Sequence, residues 1–399
     1  MSAILQPEII GRYLLFLYAI FCGTSRAGSH VVIAMLFIVF IWYCCKYKDK
    51  LTDCLPKGIF KWFSIMVLCL AASIVFSADK IASSKFLALF LYNQLVFFYA
   101  FCFIKNKDDV MKLLLIMILS VGINSLANIW ETTSGVRRTG GFLPIMSTAA
   151  IFGMTIPMII ILLINVKKVF NQAKYRRYSV FLFSVLILCL AGMFFNQTRI
   201  SFLGVLCAFG AYFIFKFKYL NWQKKLVIIV CITVLPILLF NTNKNVLFDT
   251  SLKKENWSNA LRILMWEYGW NTFKTSPLFG IGAGVLPAPE FAEKNGMVIL
   301  EKINSTKYGH IHNAYLQLLV TTGIVGLVGC FLFWYHTLCK NIMTLLFNKQ
   351  NKSVYSDIVL TTTVFFVVNN ITDVLFTGLP MYFFCVLSSI CIVGVRKEL

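Results

Sequence analysis

Apolar blocks of about 17–25 residues recur from one end of this chain to the other, and each is long enough to cross the ~30 Å hydrocarbon core of a bilayer as a helix. Twelve spans are predicted, near 12–24, 30–45, 59–77, 86–104, 111–129, 143–165, 178–195, 200–216, 226–241, 314–338, 355–371 and 376–395. Backbone facing lipid finds no water to bond, so these spans are expected to be helices. Pro157 and Pro236 fall inside two of them and mark expected kinks. The composition agrees. Of 399 residues 59% are hydrophobic and 13% charged, against roughly 45–50% and 25% in a soluble chain. The fold class expected is all-α and polytopic. No cleavable signal is recognised before the first span, which is expected to act as its own insertion signal.

Charge sets the orientation. Short cytoplasmic loops collect lysine and arginine. With both termini inside, 23 of the 37 basic residues fall at inner loops and 6 at short outer loops. The other 8 lie in one long outer loop, where the rule has little force. The net charge of +21 is thus read as a cytoplasmic collar against anionic membrane lipids, not as a nucleic-acid surface. Three regions follow: 1–241 with spans one to nine, the outer loop 242–312, and 313–399 with spans ten to twelve. Most of the 13 cysteines lie in apolar spans, the outer loop has none, and no CxxC pair occurs. They read as small buried hydrophobes, without a disulfide or zinc framework.

The outer loop is where chemistry is expected, because loops of this length are usually functional or disordered. Its aromatic content, Trp257, Trp266, Trp270, Phe273, Phe279 and Phe291, argues against a disordered linker. The segment NWSNALRILMWEYGWNTFKTSP predicts a helix over about 258–274, with Ser258 or Asn259 as N-cap and Pro277 beyond its end. Arg262, Trp266 and Trp270 recur every four residues and share one face. Such a helix is expected along the membrane surface, its rings at headgroup depth. LFGIGAG follows. No strand precedes these glycines and no Lys-Ser/Thr follows, so they read as a tight turn allowing close backbone approach, not as a phosphate loop.

Polar residues then gather at the outer ends of the spans. Arg199, in NQTR, sits between two apolar runs. It either snorkels to lipid phosphates or serves a site. Arg137 and Arg138 occupy the preceding outer loop with the same two readings. His310 and His312, in GHIHNAYLQ, stand before span ten, with Asn313 beside the second. An HxH spacing suits a metal, but no acid or cysteine lies close by in sequence. Asp373, in NNITDVLFTG, is the acid of the last outer turn. It either caps a helix or orients a histidine or an arginine. Arginine's planar fork matches phosphate oxygens, and histidine accepts a proton near neutral pH. A lipid diphosphate-linked sugar fits both: a hydroxyl attacks the anomeric carbon, and the departing diphosphate needs positive charge. The loop has no DxD pair to hold a metal, so fixed arginines are the expected substitute.

FNQTRISFLGVL, LRILMWEYGWNTFKTSPLFGIGAG and HIHNAYLQLLVTTGIVGLVG, in this order and separated by a long outer loop, resemble the bacterial O-antigen ligases. The wider superfamily also holds O-antigen polymerases and some protein O-oligosaccharyltransferases. The resemblance covers about residues 190–375. It implies transfer of O-antigen from an undecaprenyl-diphosphate donor to the lipid A–core oligosaccharide, at the periplasmic face of the bacterial inner membrane, with no metal or other cofactor and no ATP. It places the family's arginines on Arg199 and Arg262 and its histidine on His312, the candidate catalytic base. Arg138 joins the diphosphate-binding set, with His310, Asn313, Asp373 and Trp266 in support. Two other functions stay open. A polymerase would use the same donor twice. A lipid-linked-sugar transporter would place charge near mid-membrane between repeats, whereas here no repeat is visible and the polar residues cluster on one face.

Overall fold

The computed structural model describes residues 6–48, 55, 58–77, 79–136, 139–170, 174–216, 257–282, 311–339 and 353–398, with parts of 221–230. Among these, regular structure is helical throughout. In chain order the helices are α1 (Pro7–Phe21), α2 (Arg26–Lys46), α3 (Ile59–Val75), α4 (Lys80–Phe103), α5 (Lys107–Thr133), α6 (Ile145–Ile164), α7 (Val166–Val169), α8 (Tyr175–Asn196), α9 (Arg199–Lys216), α10 (Trp257–Thr275), α11 (Ala314–Trp334), α12 (Val354–Asn369) and α13 (Leu379–Glu398). A π-helical turn, Tyr335–Cys339, extends α11. Eight helices are long and apolar enough to cross a membrane, and α3 and α12 are shorter apolar helices.

The fold is thus the all-α polytopic one expected, with one adjustment at its start. The first helix begins five residues before the predicted span, where Pro7 fits the unbonded first turn. The helix predicted over about 258–274 is α10, 19 residues long. Most of the predicted ninth span, 226–241, and most of the loop between 242 and 312 lie outside the described residues. Pro157 is accommodated inside α6.

The contacts sort the helix ends into two sides. On one side, Glu8 meets Lys105 at 3.2 Å and receives the Tyr47 hydroxyl at 3.4 Å. Arg12 meets Asp109 at 3.5 Å, Lys216 meets Asp357 at 2.8 Å, and the rings of Trp62 and His336 stack at 3.7 Å. This is the side to which the basic loops were assigned. On the other side stand the loop after α5, the turn between α8 and α9, α10, the start of α11 and the turn after α12. At 27 residues, α5 is about 40 Å long and outreaches a ~30 Å hydrocarbon core. Its far end carries side chains that fold the following loop back onto it. Glu131 accepts from the Gly140 and Gly141 amides, and Asn124 accepts from the Phe142 amide at 2.8 Å.

The tenth predicted span, read as one continuous helix, is broken. Gly323 adopts φ 66, ψ −172 inside α11, a combination open essentially to glycine. The freed groups are claimed by the segment after α10. Ile281 and Gly282 amides donate to the Val320 and Thr321 carbonyls, both at 3.0 Å, while Ile324 and Val325 amides donate to the Pro277 and Leu278 carbonyls at 2.9 and 3.2 Å. Non-helical backbone is tolerated at membrane depth only where protein satisfies it; here four hydrogen bonds do so. The close approach requires glycines on both partners. A Cβ at Gly280 would sit 2.5 Å from the Thr321 carbonyl carbon, and one at Gly323 would sit 2.2 Å from the Leu278 oxygen. The LFGIG stretch is the close-approach turn the sequence suggested, and its partner is the break in α11.

Candidate functional site

His312 and Asp373 face each other across 61 residues of sequence, with His312 Nδ1 3.7 Å from Asp373 Oδ1. That is beyond hydrogen-bond length and within ion-pair reach. Asp373 is buried, and its Oδ1 also accepts the Val374 amide at 2.9 Å, so its turn fixes it. His312 is half-buried and held in the left-handed region at φ 54. Asn313 follows as the N-cap of α11, its side chain accepting from the Leu316 amide. An aspartate behind one imidazole nitrogen leaves the other to face a substrate, the geometry of an oriented base.

Helix α10 reaches this point through its own apolar face. Met265 packs with Ile311 and Val320, joined by Trp266, Phe273, Ile281 and Leu316. Gly269 lets the two helices close, since a Cβ there would lie 3.0 Å from Ile311. The Trp266 indole nitrogen consequently donates to the His312 carbonyl at 3.4 Å. Arg262 lies one turn earlier on the same helix and is half-buried. Trp270 stays 48% exposed, so the face predicted to carry three equivalent residues is divided: Trp266 serves α11, and Trp270 is left for the surroundings. Burial pushes the Tyr268 hydroxyl up to about 12.

Arg199 opens α9 after a sharp reversal in which Gln197 takes φ 57. Asn196 anchors that reversal, donating to the Thr139 and Ile145 carbonyls at 2.8 and 3.0 Å, and Thr198 bonds the Asn196 side chain. Ser201, one residue further into α9 than Ile200, accepts from Asn369 at 3.1 Å. The next residue, Asn370, offers its carbonyl to the Ala314 amide at 2.9 Å. The end of α12 therefore ties the start of α9, with Arg199, to the start of α11, with His312. Arg138 and His310 lie outside the described residues, although Thr139, the neighbour of Arg138, touches Asn196. Ser201, Gln317, Asn369 and Asn370 were not singled out in the sequence. A run of asparagines at a span end is their only signal.

Helices of this length and apolarity define a polytopic membrane protein, and the candidate site residues gather at one end of its helices. Residues 184–331 match the family model described as O-antigen ligase. The match runs from within α8 to within α11, and a transferase kind of activity is what it supports. The matched stretch includes Arg199, Arg262 and His312; Asp373 lies beyond it. A search of curated proteins gave no match.

Proposed function

We propose that this chain is an O-antigen ligase, moving a glycan from an undecaprenyl-diphosphate carrier onto the lipid A–core oligosaccharide at the periplasmic face of the inner membrane. The observation that carries this is the His312–Asp373 pair, tied through Asn370 and Asn369 to the helix that begins with Arg199. An acceptor hydroxyl attacks the anomeric carbon and passes its proton to the outer nitrogen of His312. Asp373 stabilises the imidazolium that results. The bond from the anomeric carbon to the phosphate oxygen breaks, and the diphosphate leaves with the electron pair. Arg199 and Arg262, with Arg138, hold that growing charge, a role fixed cations fill without a metal.

The lipopolysaccharide of a strain lacking the gene tests this reading. Loss of a ligase leaves bare core and accumulated lipid-linked polymer. Core bearing a single repeat would instead assign a polymerase, and donor trapped on the cytoplasmic side would assign a transporter.

A further inference from the structure

Main-chain groups on either side of His312 are held by side chains and by another helix. The Ile311 amide donates to Gln317 Oε1 at 2.9 Å. Trp266 takes the His312 carbonyl. Asn313 caps the Leu316 amide, and the Ala314 amide is held by the Asn370 carbonyl. Yet His312 sits in a left-handed conformation that residues other than glycine seldom adopt. Strain of this kind persists only where the surroundings over-determine it. Gln317 is buried and reaches back over the helix start, which closes the turn. Asn370 is fully buried and acts in two directions. Its carbonyl holds the helix that follows His312, while its side-chain oxygen accepts the Leu375 amide at 2.9 Å, fixing the turn that presents Asp373.

We infer that Gln317 and Asn370 are positioning residues. Gln317 maintains the strained turn that aims His312, and Asn370 sets the distance between His312 and Asp373. This rests on the proposed catalytic role of His312, though neither residue touches substrate or takes a proton. Gln317→Leu keeps the bulk and removes the acceptor, leaving the Ile311 amide unbonded and the left-handed turn unsupported.

The test compares purified wild type, Gln317→Leu, Gln317→Glu and His312→Ala for transfer, and follows modification of His312 by diethyl pyrocarbonate with mass spectrometry. Gln317→Leu is expected to lower kcat by about 10²-fold, the cost of misplacing a reacting group by an ångström, with the donor KM unchanged. Gln317→Glu, which retains an acceptor oxygen, recovers most of the rate. Gln317→Leu combined with His312→Ala is no slower than His312→Ala alone, because Gln317 acts through the histidine. Trp266→Phe removes the bond to the His312 carbonyl while keeping a ring, and follows the same pattern if Gln317→Leu fails to fold. Independent, additive losses would overturn the inference, as would an unchanged rate with unchanged His312 modification. Full activity in His312→Ala would sink the catalytic reading alone. The modification rate of His312 in Gln317→Leu then still decides: an altered rate sustains the positioning role, and an unaltered one ends it.

Discussion

Lys216 Nζ lies 2.8 Å from Asp357 Oδ1, joining α9 and α12 at the end of the bundle opposite the site. Both side chains are about one-tenth exposed. Desolvation makes such a pair a weak source of net stability, but removing one partner strands a buried charge at a cost of about 3–5 kcal/mol. Lys216→Met is therefore expected to lower the melting temperature in detergent sharply. Lys216→Met combined with Asp357→Leu should regain most of the loss. Equal melting temperatures for the single variant and the wild type would show that water reaches the pair.

The break in α11 gives a second contrast between two glycines. Gly323→Ala forces a Cβ onto the Leu278 carbonyl in a backbone region that alanine does not enter. It is expected to lose much of the folded protein, read by fluorescence-detected size exclusion. Gly210, inside α9, has nothing within 4 Å of an added Cβ. Gly210→Ala is expected to fold as well as the wild type or slightly better, since glycine costs a helix interior about 1 kcal/mol against alanine. Similar yields for both variants would contradict the pairing of 277–282 with the break.

Orientation rests on the charge asymmetry and is tested by labelling. In a background with its native cysteines masked, Asn295→Cys should react with an impermeant thiol reagent in intact spheroplasts. Labelling only after lysis would turn the protein over and remove the periplasmic site.

The arginines are expected to depend on shape as well as charge. Arg199→Lys and Arg262→Lys both retain a cation and lose the planar fork. One lost charge-assisted hydrogen bond is worth about 1.5–3 kcal/mol, or roughly 10- to 100-fold in rate. Full transfer by purified Arg262→Lys would make that arginine a structural or headgroup contact.

Hydrophobic run length sufficed for the spans that stand as apolar helices among the described residues, because the bilayer imposes one length and one secondary structure. The alternation of lysine-rich and lysine-poor loops predicts which side each loop takes. The break at Gly323 was not legible: TTG in an apolar run gives no local sign of a turn, and only the approach of Pro277–Gly282 makes one favourable. The sequence offered Asp373 as a partner for a histidine or an arginine, and the choice of His312 depends on Asn370 joining two chain segments that are distant in sequence. Spacing placed Arg262 and Trp266 on one side of a helix, but packing through Met265 and Gly269 decided that Trp266, and not Trp270, meets α11.

The two histidines before α11 make the sharpest separation. His312 lies immediately before the α11 N-cap, facing Asp373 with its carbonyl bonded to Trp266, so a rigid element fixes it. General-base assistance is typically worth 10²–10⁴-fold, so His312→Ala should nearly abolish transfer while His310→Ala costs far less. Asp373→Asn should fall between them, since it keeps the turn and removes the charge that stabilises an imidazolium. None of these variants should weaken donor binding much, because the arginines hold the diphosphate. Rates of purified variants, measured with and without EDTA, decide the matter. Equal loss at both histidines together with inhibition of the wild type by EDTA would replace the base with a metal site. Equal loss without inhibition would make the histidines a shared structural pair.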